Sequence, residues 1–491
     1  MNIAIIGAGF AGLVAAKTLK EFGHLVTVYE KVADVGGVWA SSRTYPTLST
    51  QNDKGSYCFS DWTMPPEYPE WPFAHQVQNY LASYADHFQL NKHIFLSEQV
   101  LEVRRLADGD WALRSSKRTE RYDFVVVASG IFSLPYIPDF AGREEFEERG
   151  GRVLHTSQFL DPDIVEGKKV LVVGYGKSSC DVAAAATPHA SAVYVAARQL
   201  LWKAPKKLLG VIPCKFFLLT RLGEGLFRHR KPLGFECFLH GWGSPLRNTL
   251  ISILRSLTVH QFRLKALRLI PDGAFEDIAR STVSLTTDNF FEYVESGDIK
   301  VLRDQRVHRY GIKNDEVGVY LGDETFLPAD TVIFGTGWRQ EVNFLEPTIR
   351  EQVLDEEGNF LLYNCVLPLN VQGLAFCGYN SSFFSPLSAE IAALWIATCL
   401  DGGLGLPSPE VMEELTRSRL AWMAERTDGR HAKGTNIIPF SMRQIDDLLA
   451  DMGLRISMLQ RLREWIRPVR PGDYHWVKKC LLDRRVTPEP S

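Results

Sequence analysis

At 491 residues, with 45% hydrophobic and 23% charged side chains, the chain is too long for one core and reads as a soluble globular protein of two or three domains. Its net charge of −3 gives no overall electrostatic case for nucleic acid. Its eight cysteines show no C-x-x-C or metal-ligand spacing, which argues for a reducing, cytoplasmic compartment and against a metal site. No uninterrupted apolar run reaches membrane-spanning length, and the apolar start lacks the basic segment of a signal peptide.

In chain order, Ile3 to Ile6 predicts a buried strand and Leu13 to Phe22 a helix, joined by Gly7-Ala8-Gly9-Phe10-Ala11-Gly12. In this G-x-G-x-x-G loop Gly7 permits the tight turn, Gly9 lets the backbone approach a pyrophosphate, and Gly12 lets helix and strand pack closely. The N–H groups and dipole at the helix start then hold phosphate charge. A second strand, Leu25 to Tyr29, delivers Glu30 and Lys31, and Glu30 stands 18 residues after Gly12, where a carboxylate accepts from a ribose 2′-OH. Strand, loop, helix, strand and acid together predict a site for an ADP-containing cofactor.

Gly36-Gly37-Val38-Trp39 follows, either a loop running beneath a flat ring system or a surface turn. Val77 to Leu90 predicts a helix, and Val100 opens a hairpin-like stretch. Tyr122 to Gly130 is an apolar run ending in Ala128, Ser129 and Gly130, as expected of a buried parallel strand that abuts a ligand. Gly37, Val38, Trp39, Thr50 and Val100 join the candidate cofactor-binding residues.

A second fingerprint begins 167 residues after the first. The strand Lys169 to Val173 enters Gly174-Tyr175-Gly176-Lys177-Ser178-Ser179, with serine in place of the third glycine. The next strand, from Ala192, ends at Arg198 where the first unit has Glu30, and a guanidinium there favours the 2′-phosphate of NADP over NAD. Residues 198 to 270 then carry 14 Lys or Arg against two acids, interleaved with Leu, Phe and Trp. Two readings stand, a lid with a solvated basic rim and a peripheral membrane face. Asp330 to Trp338 repeats the pattern of a buried strand ending in small residues, and Ser388 to Leu400 predicts an apolar helix. The tail from Met452 to Arg485 is basic again.

Two dinucleotide loops imply two cofactors, with Glu30 suited to FAD and Arg198 to NADPH. The motifs resemble those of the flavin-containing monooxygenases, the single-component class that also includes the Baeyer–Villiger monooxygenases. The resemblance rests on Gly7 to Gly12, on Gly36 to Trp39, and on Leu48, Thr50, Gln51 and Lys54 followed by Cys58 to Asp61. It extends to Gly151, His155 and Phe159 and to Thr336-Gly337-Trp338. Arg149 replaces the phenylalanine of the family's identifying motif, and Gln51 stands where the family has an asparagine beside the flavin, with Asn52 one place later. His155, at the edge of a linker, reads as structural.

The resemblance implies an α/β fold with two Rossmann-like dinucleotide-binding domains and a helical insertion. An FAD domain would span 1–160 and 328–491, and an NADPH domain 161–327, with the basic insertion at about 203–280. It implies a flavin hydroperoxide that passes one oxygen atom to a nitrogen or sulfur nucleophile of a small molecule, with Gln51 and Asn52 as catalytic candidates and Thr336 and Gly337 among the cofactor contacts. Baeyer–Villiger oxidation of a ketone is the alternative. O₂ and a small-molecule substrate are the implied partners, without nucleic acid; a homodimer and membrane contact through the insertion are left open. A disulfide reductase would share both loops but needs a redox cysteine pair that is missing.

Overall fold

The computed structural model describes residues 1–280, 284–380, 382–428, 433, 435 and 439–486. Two five-stranded parallel sheets dominate it. The first runs Leu374–Phe376, Phe124–Val127, Asn2–Ile6, Leu25–Tyr29 and Ile94–Phe95 across its width, every neighbouring pair parallel. The second runs Ile299–Arg303, Ala192–Ala197, Lys169–Val173, Thr331–Phe334 and Arg152–His155, again all parallel. In each, the central strand is the one that enters a glycine loop. Covered on both faces, these strands are continuous apolar runs rather than alternating ones: Phe124–Val127 and Thr331–Phe334 are buried at every position.

The two units repeat a plan. In both, strand, glycine loop, helix and second strand are followed by a three-stranded antiparallel sheet, Val100–Arg105 to Thr119–Tyr122 in the first and Val307–Lys313 to Phe326–Pro328 in the second. The chain then re-enters the parallel sheet beside the central strand. The hairpin expected from Val100 is therefore the first part of this three-stranded sheet.

The expected boundaries at 160 and 328 fall beside two strands of the second sheet. Arg152–His155 and Thr331–Phe334 both pair in the second sheet, although the sequence reading assigned them to the first domain. Main-chain ladders formed far along the chain decide membership, and no local pattern marks them.

The basic insertion is less uniformly helical than expected. It opens with the short strand Lys203–Ala204, paired to Ser284–Leu285, and a hairpin of Lys207–Leu208 with Ile212–Pro213, before the helices Arg221–Gly225, Phe235–Leu239 and Ser244–Gln261. It is clamped to the C-terminal segment. Buried Arg221 donates to Glu464 at 2.7 Å and to Asp446 at 2.7 and 2.9 Å, while Glu224 accepts from the main-chain N–H groups of Met442 and Arg443, both at 2.9 Å. Part of the positive charge counted in the sequence is thus neutralised by acids of the tail. The apolar helix Ser385–Leu400 is buried almost all round and packs on the first helix, Phe10–Glu21.

Candidate functional site

The first glycine loop closes on itself through sterics. Gly7 has φ +109°, and a Cβ there would lie 2.6 Å from the carbonyl oxygen of Ala128; a Cβ on Gly12 would lie 1.8 Å from that of Gly7. The loop is thereby welded to the end of Phe124–Val127. Gly9 faces the G-G-x-W turn: a Cβ on Gly37, which has φ +61°, would meet the Gly9 Cα at 3.1 Å. The Gly36 N–H donates to the Ala8 carbonyl at 3.0 Å. This turn is therefore part of the loop's floor rather than a free surface turn.

Below it opens a cleft of about 460 Å³. Gly7, Gly9, Ala11, Glu30, Lys31, Gly37, Val38, Trp39, Val100, Ala128, Ser129 and Gly130 all line it. Ala8 and Gly12, expected among the binding residues, instead lie beneath this lining and shape it, and Thr50 is buried, its hydroxyl on the Asn52 carbonyl at 2.8 Å. Glu30 is buried, one carboxylate oxygen accepting from the Ala8 N–H at 2.8 Å and the other from the Val32 N–H at 3.1 Å. Those two bonds fix its position and leave lone pairs for hydroxyl donors. No side chain caps the start of Phe10–Glu21, so its terminal N–H groups stand ready for an anion.

Sequence reasoning missed Phe10, Arg43, Tyr57 and Asn380, which also line the cleft. Arg43 lies in no motif; it donates to the Phe132 carbonyl at 2.5 Å and stacks on Trp338, its centre 5.1 Å from the ring. Burial lowers the proton affinity of Arg43, and burial with the repulsion of Arg43 lowers that of Lys31, each opposed by Glu30. Burial pushes the Tyr57 phenol up to about 12, so it stays a neutral hydroxyl.

The motif from Thr50 to Asp61 staples the cleft together. Ser60 donates through N–H (2.8 Å) and hydroxyl (2.5 Å) to buried Glu390 of the Ser385–Leu400 helix, and Asp61 pairs with Lys17 of the first helix. Asn52 is buried and its amide donates to the Phe383 carbonyl. Gln51 reaches the other way: its Oε1 accepts from the Leu285 N–H at 3.0 Å, and its Nε2 has no protein partner among the described residues.

The second loop follows the first with one exchange. Gly174 has φ +119°, and buried Ser179 sits where the first loop has Gly12. The room is found on the opposite strand end, where Gly335 replaces Ala128: a Cβ at Gly335 would lie 2.0 Å from the Ser179 hydroxyl. A Cβ at Gly176 would meet nothing within 4 Å, and no side chain caps Lys177–Ala186, so the space before this helix is open to a phosphate. Lys177 pairs with Asp181, Ser178 faces the Tyr45 hydroxyl at 3.4 Å, and Tyr175 is buried with the Lys203 ammonium 4.6 Å from its ring. Arg198 is exposed at the end of Ala192–Ala197, without an ion pair among the described residues.

Thr336 and Gly337 do not reach the first cleft; they splice the two units. Gly337 O accepts from the Tyr136 N–H at 3.0 Å and lies 3.1 Å from His155 Nε2, while the Thr336 hydroxyl donates to the Tyr136 carbonyl. Burial holds the His155 pKa below its ordinary value, as suits a structural imidazole. Among the described residues, Asp163, Glu166 and His189 bring ligand atoms within 4.8 Å of one another, on the surface and away from both loops.

Residues 1–234 match the family model described as flavin-binding monooxygenase-like. The chain is 28% identical to the probable flavin-containing monooxygenase 1 of Arabidopsis thaliana, over 92% of each chain. It is 26% identical to human flavin-containing monooxygenase 1, over 85% of this chain and 77% of the relative. Among solved structures, cyclohexanone-bound cyclohexanone monooxygenase shares the fold with TM-score 0.70 and 18% identity, covering 92% of this chain and 98% of that one. With the paired loops and the uncapped helix starts, these matches make the chain similar to the flavin-containing monooxygenases, by the family model over its first 234 residues and by the relatives over most of its length.

Proposed function

We propose that the protein is an NADPH- and O₂-dependent monooxygenase that holds FAD in the first cleft and transfers one oxygen atom to a soft nitrogen or sulfur nucleophile of a small molecule. The observation that carries this reading is the pair of uncapped helix starts behind glycine loops, one ending its unit in buried Glu30 and the other in exposed Arg198. The donor set fits FAD: a carboxylate for the ribose, free N–H groups for the pyrophosphate, and the Gly37 to Trp39 floor with Phe10 and Tyr57 for a flat ring. When bound, FAD accepts hydride from NADPH and supplies the oxygen chemistry.

The chain's own residues bind, orient and exclude water. Glu30 fixes the adenosine end, Arg198 grips the 2′-phosphate of NADPH, and the Gln51 Nε2 hydrogens give an amide donor near the junction of the two units. No acid–base dyad is required of the protein. We place the domain boundaries near 150 and 336, where the chain crosses between the sheets. A garlic S-allyl-L-cysteine S-oxygenase and cyclohexanone monooxygenase both share this fold, at TM-scores of 0.62 and 0.70, so ketones belong in the test panel. The test is NADPH and O₂ consumption with amines, sulfides and ketones, with products identified by mass spectrometry. N- or S-oxides support the reading, and esters or lactones alone replace it with Baeyer–Villiger chemistry.

Apolar side chains on the insertion and tail support peripheral contact with a lipid surface. No helix among the described residues is long and apolar enough to cross a membrane, yet Trp242 is 98% exposed and Leu459 80%. Phe235 of the insertion packs on Trp465 of the tail helix Met458–Ile466, whose Arg461 and Arg463 are also exposed. Salt-sensitive co-sedimentation with anionic liposomes is the expected result; no sedimentation leaves the insertion as a lid.

A further inference from the structure

A second cavity, of about 260 Å³, lies between the insertion, the Pro409–Thr427 helix and the Ser441–Asp451 helix. It shares no lining residue with the cofactor cleft. Its charge is unbalanced. Arg230, Arg419 and Arg443 all line it, and no carboxylate of the described residues comes within 4 Å of Arg230 or Arg419. Their protein contacts are main-chain carbonyls only: Arg230 donates to Leu415 O at 3.2 Å and Arg419 to Leu362 O at 2.5 Å. The Arg419 Nε atom is buried and has no hydrogen-bond partner among the described residues. A buried donor atom left without an acceptor costs free energy unless something accepts from it.

The acids present do not settle the imbalance. Asp451 already accepts from Tyr363, Asn364 and Trp395 at 3.1, 2.8 and 3.0 Å. Asp447 faces the cavity with no hydrogen bond or ion pair of its own among the described residues. Burial and the repulsion of Arg419 and Arg443 lower the proton affinity of Arg230, which Asp447 only partly opposes. One wall is apolar: the rings of His229, Trp422 and Phe440 meet mutually at 5.1 to 5.2 Å. Burial and neighbouring arginines hold His229 down at about 4, so it adds a neutral ring at physiological pH rather than a charge.

We propose that this cavity is a second ligand site, built for a small organic anion with a carboxylate on a flat apolar body. The carboxylate takes the open donors of Arg230 and Arg419 in the bidentate geometry guanidinium groups favour. The body lies along Trp422 and Phe440. The volume suffices, since a cavity of about 150 Å³ holds benzene.

The test is calorimetric titration of the FAD-loaded protein with benzoate, benzyl alcohol and inorganic phosphate. Benzoate should bind one per chain, at least about tenfold more tightly than either control, a difference of about 1.4 kcal/mol. Arg230→Gln should weaken benzoate about tenfold or more. Asp447→Asn should tighten it several-fold, because the substitution removes a like charge from the cavity without breaking a contact. A gain of affinity cannot arise from misfolding, so this variant decides the matter even if Arg230→Gln folds poorly. Benzoate binding that neither substitution alters, or its absence, overturns the proposal; phosphate binding as tightly as benzoate overturns the flat-body requirement.

Discussion

The Tyr45 hydroxyl donates to the Asp181 carboxylate at 2.9 Å, joining the loop beyond the first sheet's second strand to the helix that leaves the second glycine loop. Both side chains are buried, and the other Asp181 oxygen takes Lys177 and the Thr287 hydroxyl. Burial and the neighbouring carboxylate raise the Tyr45 phenol well above its ordinary value, so it remains a donor at any working pH. The two cofactor sites are thus registered by a charge-assisted bond. Tyr45→Phe should cost about 1.5–3 kcal/mol, the range for a bond to a charged acceptor. The readout is a lower thermal midpoint with FAD content retained; an unchanged midpoint would mean that water replaces the hydroxyl.

Ser179 and Gly335 have exchanged sizes relative to Gly12 and Ala128. Gly335→Ala should destabilise by about 1–3 kcal/mol through overpacking against the Ser179 hydroxyl. Adding Ser179→Gly should recover most of that loss, since the next atom a Cβ would meet is 3.3 Å away. Denaturant unfolding of the single and double variants measures the coupling, and additive effects would refute it.

Arg198→Ala should weaken NADPH by about 10- to 100-fold, because a charge-assisted bond contributes about 1.5–3 kcal/mol. NADH, lacking the 2′-phosphate, should change little. Lys206 is engaged with Asp288 at 2.6 Å and Lys203 is buried, so neither is free to substitute fully. Dissociation constants from anaerobic flavin reduction with each nucleotide check this; equal weakening of both would make Arg198 structural.

Gln51→Ala should raise the fraction of NADPH electrons lost as hydrogen peroxide, because it removes the open amide and its tie to Leu285. The peroxide-to-NADPH ratio measures it. Asn52, whose amide is already spent on Phe383, should when changed to alanine lower stability before it alters coupling.

Much of the fold was legible because glycine loops are local: turn, close approach and helix start fall within a dozen residues, and both were placed by spacing alone. Glu30 and the Ala128 to Gly130 strand end were equally readable, since each terminates an apolar run. What escaped was long-range. Leu374–Phe376 pairs with Phe124–Val127 across some 250 residues, and Arg152–His155 joins a sheet whose other strands follow it. Arg43 and Asn380 reach the cleft only through folding, and the match of Arg221 to Asp446 and Glu464 needs the tail docked on the insertion. The basic count over 198 to 270 was real, but its charge balance was not local.

The central claim is that the first cleft holds FAD and the second loop delivers NADPH to it. The most direct measurement is the visible spectrum of the purified protein titrated anaerobically with NADPH. One FAD per chain, bleached by NADPH and restored by air, is the predicted result. Protein that is colourless and cannot be reconstituted with FAD, or a flavin that NADPH leaves oxidised, would contradict it.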